Sequence, residues 1–186
     1  MSLKRKEDGF TGLEAAIVLI AFIVVAAVFS YVMLGAGFFT TQKSQETVFG
    51  AVGQATANME VSGPVVIYTD TNTDVSSINF TVVLAAGGAP MDTSKFTYVA
   101  SSQTAYHELN ASQVDYIWYV QGSAGTTKTF LERGDILEVG ISGTAVDIVT
   151  ANKPFTIEVK PTVGASLPIN RLAPLSLQAS QVYEVY

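Results

Sequence analysis

The sequence predicts an α+β chain: one long apolar α-helix at the N-terminus, then an antiparallel β-sandwich of Ig-like type. Three observations predict it. Residues 15–39, AAIVLIAFIVVAAVFSYVMLGAGFF, are almost wholly apolar. From about residue 64 the apolar residues switch to a period of two. Turn-rich segments then separate short alternating runs, the pattern of a two-sheet β-domain.

The helix comes first. No charged residue lies between Glu14 and Lys43. At 1.5 Å per residue, residues 15–39 make a helix of roughly 37 Å, longer than the roughly 30 Å hydrocarbon core of a bilayer. A soluble core helix would keep a polar face. Lys4, Arg5 and Lys6 precede the run, so the N-terminal tail stays in the cytoplasm and the rest lies outside. An ordinary secretory signal has a shorter apolar stretch ending in small residues, so this helix is expected to remain on the protein. Beyond Phe39, Val48, Val52, Ala55 and Met59 recur at helical spacing. The helix is therefore expected to continue to Ser62, where Ser62-Gly63-Pro64 ends it. Residues 10–62 would span roughly 80 Å, with Gly35, Gly37, Gly50 and Gly53 as possible bends.

The β-domain is expected over residues 63–186. Ile78, Phe80, Val82 and Leu84 alternate with Asn79, Thr81, Val83 and Ala85. Val114, Tyr116, Trp118 and Val120 form a second face, Leu137, Val139 and Ile141 a third, and Phe155, Ile157 and Val159 a fourth. Shorter strands are expected over residues 65–69 and 96–100. Turns are expected over 70–77, 87–94, 122–127 and 142–153, and His107 is read as a loop residue.

Composition narrows the function. Of 186 residues, 48% are hydrophobic and only 14% charged, against about 25% charged in a typical soluble domain. With no cysteine and one histidine, thiolate metal sites and cysteine nucleophiles are excluded, and a histidine-dependent triad is not expected. The net charge of −6 argues against nucleic-acid binding, which needs a basic surface. No phosphate loop, nucleophile–base pair or paired acid arrangement is present in the sequence. No cofactor and no enzymatic activity are expected.

Four local motifs remain. Asn79-Phe80-Thr81 and Asn110-Ala111-Ser112 are N-glycosylation acceptors, and the topology above puts both outside the cell. Asp70-Thr71-Asn72-Thr73-Asp74 matches the first half of a calcium loop, with Asp70, Asn72 and Asp74 as weak metal candidates. Val75 and Thr81 then stand where that loop needs glycine and glutamate, so an Asx-rich turn is expected instead. Arg133-Gly134-Asp135 spells an adhesion tripeptide in a sequence that reads as a β-turn. Glu14 is a carboxylate in the first turn of the apolar helix, where the helix dipole favours it.

The segment KRKEDGFTGLEAAIVLIAF resembles the class III, prepilin-type signal of type IV pilins and archaeal flagellins. The longer stretch EAAIVLIAFIVVAAVFSYVMLGAGFFTTQKSQETV is similar to archaellins. The C-terminal run PFTIEVKPTVGASLPINRLAPLSL resembles their C-terminal region, where a strand is followed by Gly-Ala, a hydrophobic segment and an arginine shortly before a proline. Leu131-Glu132-Arg133-Gly134-Asp135 resembles the family's Gly-Asp turn.

The resemblance implies a precursor that a prepilin-type signal peptidase cuts between Gly9 and Phe10. Residues 1–9 are then the signal, and 10–62 a helix that is inserted in the membrane before assembly and forms the filament core afterwards. The cut would place a new ammonium on Phe10 four residues before Glu14, its expected partner. The implied function is a subunit of the archaeal swimming filament, a homopolymer outside the cell that other archaellins can join. An assembly ATPase, a membrane platform and, since archaellins are commonly N-glycosylated, an oligosaccharyltransferase are the implied partners. An adhesive type IV-like pilin is the alternative, and a surface module held by one membrane helix a more distant one.

Overall fold

The computed structural model describes residues 4–72, 74–120, 123–125 and 127–186. Contacts divide the chain into two compact units, Met1–Gly50 and Ala51–Tyr186.

The first unit is helical. Helix α1 runs unbroken over Lys4–Thr56. It passes straight through Gly35, Gly37, Gly50 and Gly53, each with open space where a Cβ would stand. The uninterrupted apolar run and the absence of proline from residues 4–56 are consistent with the continuity. The helix stops six residues before the expected end. The last turn closes where the Ala57 amide donates to the Gly53 carbonyl at 3.0 Å. Met59 then enters strand β1 (Met59–Val61), which pairs with residues 82–84. Residues 59–61 bury Met59 and leave Glu60 exposed, a period of two that serves a sheet. Met59 satisfies the helical spacing equally well, and the sheet takes it.

The second unit is built on thirteen strands among the described residues. The large sheet contains β1, β2 (Val65–Thr69), β3 (Val75–Leu84), β7 (Val114–Val120), β8 (Ser123–Ala124), β10 (Ile136–Ser142) and β13 (Val182–Val185). Their order is β13-β2-β3-β10-β7-β8, with β1 also on β3, and the pairings are antiparallel. The long β3 takes β2 along its first half and β1 along its second. The smaller sheet has the order β12-β11-β5-β6, from Leu167–Leu172, Pro154–Lys160, Thr97–Ser102 and Tyr106–Glu108. A two-stranded ribbon joins β4 (Met91–Asp92) to β9 (Phe130–Leu131).

The alternation read in the sequence is the alternation of burial. Ile78, Phe80, Val82 and Leu84 point inward, as do Leu137, Val139 and Ile141, and Phe155, Ile157 and Val159. These side chains of both sheets belong to one contiguous core, so the antiparallel sandwich is present. The structure establishes the strand order above rather than an Ig-like pattern. At 1.5–3 kcal/mol or so per fully buried large aliphatic side chain, this core is the main source of the domain's stability.

Further expectations change. Strand β3 already begins at Val75 within the expected 70–77 turn, and β4 lies within the expected 87–94 turn. Residues 142–153, expected to be a turn, contain the short 3-10 helix Gly143–Val146 and bury Ala145, Val146, Ile148 and Val149. His107 lies on strand β6 opposite Ala100 rather than in a loop. Tyr116, on the same alternating face as buried Val114 and Trp118, remains 38% exposed.

Candidate functional site

Two candidate surfaces follow from the sequence: the apolar helix with its N-terminal motif, and the outer face of the β-domain. Each is taken within its own unit.

Along α1 the large apolar side chains are exposed on every side. Leu13, Ile17, Phe22, Phe29, Met33 and Phe39 all present most of their surface, and Val25 is 53% exposed. The helix is long and apolar enough to cross a membrane. A helix apolar all round requires a non-aqueous surrounding, either lipid or protein. Its polar atoms are arranged for one. The hydroxyls of Thr40 and Thr41 donate to the carbonyls of Ala36 and Gly37, at 2.8 and 2.9 Å. This satisfies them within the helix, where an unpaired hydroxyl would cost about 1–3 kcal/mol on burial. The charge-free stretch ends at Lys43, which pairs with Glu46 at 2.6 Å on the exposed surface.

The residues expected at the cut lie on the first turns of this helix. Gly9 and Phe10 are within α1, and the Phe10 side chain lies outside what the structure describes. Glu14 is exposed.

In the β-domain the sequence motifs separate clearly. Asp70 folds back on its own loop: its Oδ1 accepts the amide hydrogens of Asn72 at 2.7 Å and Asp74 at 3.1 Å. That is an Asx turn, and Thr73 lies outside the described residues. No group of three or more metal-binding acids, histidines or cysteines occurs among the described residues. The Arg133-Gly134-Asp135 turn has Gly134 at φ +89°, a conformation that suits glycine. Asp135 is buried at 5% exposure. Its Oδ2 accepts from Lys128 Nζ at 2.6 Å and from the Glu132 amide at 3.2 Å. Hydrogen bonds to Asp135 and then Glu132 hold the Lys128 ammonium above its ordinary pKa. The aspartate thus serves the turn and is not presented to a partner.

Asn79 lies on β3, the outward neighbour of buried Ile78 and Phe80. Its Nδ2 donates to Glu138 Oε1 at 2.9 Å, and Tyr119 donates to Glu138 Oε2 at 3.1 Å. Asn110 is exposed at the start of the 3-10 turn Ala111–Gln113. The Gln113 side-chain oxygen accepts its backbone amide at 3.0 Å.

One largely apolar cavity of about 270 Å³ is lined by Ala57, Met91, Phe96, Phe130 and Val163 among others. Its charged lining groups, Asp92 and Lys95, are committed to each other at 3.0 Å. Hydrogen bonds from Ser94 and then Lys95 hold Asp92 below the usual carboxylate range. Nothing in this lining resembles a nucleophile with its base.

Sequence reasoning missed one residue that matters to the domain. Gly164 has φ +107°, and a Cβ there would meet the Ala57 carbonyl oxygen at 2.1 Å. The Gly-Ala step at residues 164–165 was the available signal.

A single apolar helix joined to an antiparallel β-sandwich defines a class: a subunit whose helix must be buried in something other than water. Comparison with known proteins gives the family. The archaeal-type flagellin family model matches residues 9–171. A probable flagellin 1 of Archaeoglobus fulgidus is 44% identical over 98% of both chains. The solved archaeal flagellum of Methanospirillum hungatei strain JF1 superposes with a TM-score of 0.75 at 36% identity, over 94% of this chain and 98% of that one. A crystal structure of an archaeal flagellin from Methanocaldococcus jannaschii shares the fold, with a TM-score of 0.56 at 18% identity over 68% of this chain and 95% of that one. The chain belongs to the archaeal-type flagellin family.

Proposed function

We propose that this chain is the structural subunit of an archaeal swimming filament and works by packing rather than by catalysis. The observation that carries the reading is α1: residues 15–39 expose large apolar side chains on every side and no charge. A bilayer before assembly and copies of the same helix after it both meet that requirement. In the bilayer the backbone is satisfied within the helix. In the filament, contact with other helices replaces contact with lipid, and the apolar surface never meets water. A head-to-tail contact that does not close into a ring propagates as a helix, with the β-domains outside.

The rest of the reading follows from the family and the N-terminal motif. A prepilin-type signal peptidase cuts between Gly9 and Phe10, and the new Phe10 ammonium pairs with Glu14. An assembly ATPase and a membrane platform extract the helix from the membrane. Asn79 and Asn110 are the two candidate acceptors for an oligosaccharyltransferase. Deleting the gene tests the function: loss of swimming with normal surface attachment is expected, and unchanged swimming refutes this chain as the filament's sole subunit. Normal swimming with lost attachment would instead indicate an adhesive pilin. A Gly9→Val variant is expected to accumulate uncut in the membrane; normal filaments from it would refute the assigned cut.

A further inference from the structure

We propose that the folded domain offers one glycan acceptor, Asn110, and that Asn79 is a structural amide that ties β3 to β10. This rests on the reading of the chain as an exported, glycosylated subunit and chooses between its two candidate residues.

The atom that would carry the sugar is Nδ2 in both cases. In Asn79 it is engaged. Nδ2 donates to Glu138 Oε1 at 2.9 Å, and that carboxylate is itself held by the Tyr119 hydroxyl. Asn79 lies within the large sheet, with Val66 as its partner on one side and Gly140 on the other. Gly140 explains how the amide fits. A Cβ at residue 140 would come within 3.3 Å of Asn79 Oδ1, so the missing side chain leaves room for the asparagine to lie across β10. To enter an enzyme cleft, this tripeptide would have to leave two ladders, and buried backbone groups resist being unpaired.

Asn110 has none of these restraints. It is exposed, in the connection between β6 and β7, and Ser112 of the same tripeptide is exposed as well. Its backbone bonds are local: its carbonyl accepts from the Gln113 amide at 2.9 Å and its amide donates to the Gln113 side chain. One turn can open without disturbing a sheet. The donor is an oligosaccharide linked to a lipid phosphate. A bond forms from Asn110 Nδ2 to the anomeric carbon, and the bond from that carbon to the phosphate oxygen breaks. The lipid phosphate leaves with the electron pair, and Nδ2 releases one proton.

The test is peptide mass spectrometry on purified filaments, with two variants that spare both asparagines. Ser112→Ala removes the acceptor tripeptide at Asn110, and Thr81→Ala removes the one at Asn79. Wild type is expected to carry the glycan mass on the Asn110 peptide alone. Ser112→Ala is expected to lose that mass completely, and Thr81→Ala to change only by its substitution. Sugar on the Asn79 peptide overturns the proposal while leaving the chain a glycoprotein. Sugar on neither peptide overturns both the proposal and the glycosylation reading. An Asn79→Gln variant supplies a second readout, a lowered melting temperature with the glycan unchanged; an unaltered melting temperature contradicts the structural role.

Discussion

Replacing Gly164 by alanine tests the packing of the β-domain most sharply. Gly164 lies in the connection between β11 and β12, at φ +107°. An L-residue held in left-handed backbone costs about 1–2 kcal/mol. The new Cβ would also stand 2.1 Å from the Ala57 carbonyl oxygen and 3.0 Å from its carbon. Backbone cannot rotate away as a side-chain tip can, so the loop must retreat by about 1 Å, at the roughly 1–3 kcal/mol typical of overpacking. Together these predict about 2–5 kcal/mol of destabilisation, a large part of the roughly 5–15 kcal/mol that holds a domain folded. For a unit of this size, at roughly 3.5 °C per kcal/mol, the melting temperature should fall by about 7–18 °C. Thermal unfolding of a chain beginning at Ala51, followed by circular dichroism, measures the shift. Gly63→Ala is the control: its φ is +92° with nothing within 4 Å of a Cβ, so only the backbone strain applies. If Gly164→Ala costs no more than Gly63→Ala, the close approach to Ala57 has no energetic weight and the reasoning fails.

Three further outcomes are expected. Val25→Lys puts an unpaired ammonium in the apolar run, at about 3 kcal/mol already in a bilayer and with no acid between Glu14 and Lys43 to pair it in a helix bundle; filaments should be lost, and a normal filament yield would contradict the packed helix. Tyr98→Phe should raise the stability of the β-domain by up to about 1 kcal/mol, because the buried Tyr98 hydroxyl has only the neighbouring Tyr116 hydroxyl to answer it and no hydrogen bond of good geometry; lower stability in chemical unfolding would show that the Tyr116 hydroxyl satisfies it. Stability against pH should fall away at both ends. Hydrogen bonds to Lys160 and then Ser166 hold Glu158 below 4.5, so its contribution is present above that value and is lost as pH falls through the lowered folded value. Lys128 is held above 10.5 by Asp135 and then Glu132, so its contribution is present below that value and is lost as pH rises through the raised one. Glu158→Gln should flatten the acid limb and Lys128→Met the alkaline limb in melting curves; limbs unchanged by both variants would remove these pairs from the account.

The helix was legible because its signal is long: residues 15–39 have no competing pattern. The central strands were legible because Phe80, Val139 and Ile157 each belong to clean alternations that burial follows. The helix end was not, because Met59 satisfies both a helical and a strand period, and only pairing with Leu84 decides between them. Residues 145–149 were misread because Gly143 and Thr144 signal a turn, which the short 3-10 helix is, while the apolar residues beside it go into the core. Strand β13 escaped notice because Val182–Val185 is short and its pairing with β2 is remote in sequence. The motifs showed the same limit. Asp70 accepts from the amides of Asn72 and Asp74 as an Asx turn does, and Val75 and Thr81 stand where a calcium loop needs glycine and glutamate. By contrast, nothing in two matching tripeptides separates Asn79 from Asn110. The difference lies in Glu138 and Gly140, about sixty residues away in the chain from Asn79 and close to it only in the folded sheet.

The central claim is that this chain polymerises through α1. An electron cryo-microscopy map of the filaments purified from its cells tests it directly. The expected map shows Phe10 as the first residue, residues 15–39 of neighbouring copies packed together along the filament axis, and the β-domains forming the outer wall. A filament with α1 on its surface, or one whose core holds no copy of this helix, would contradict it.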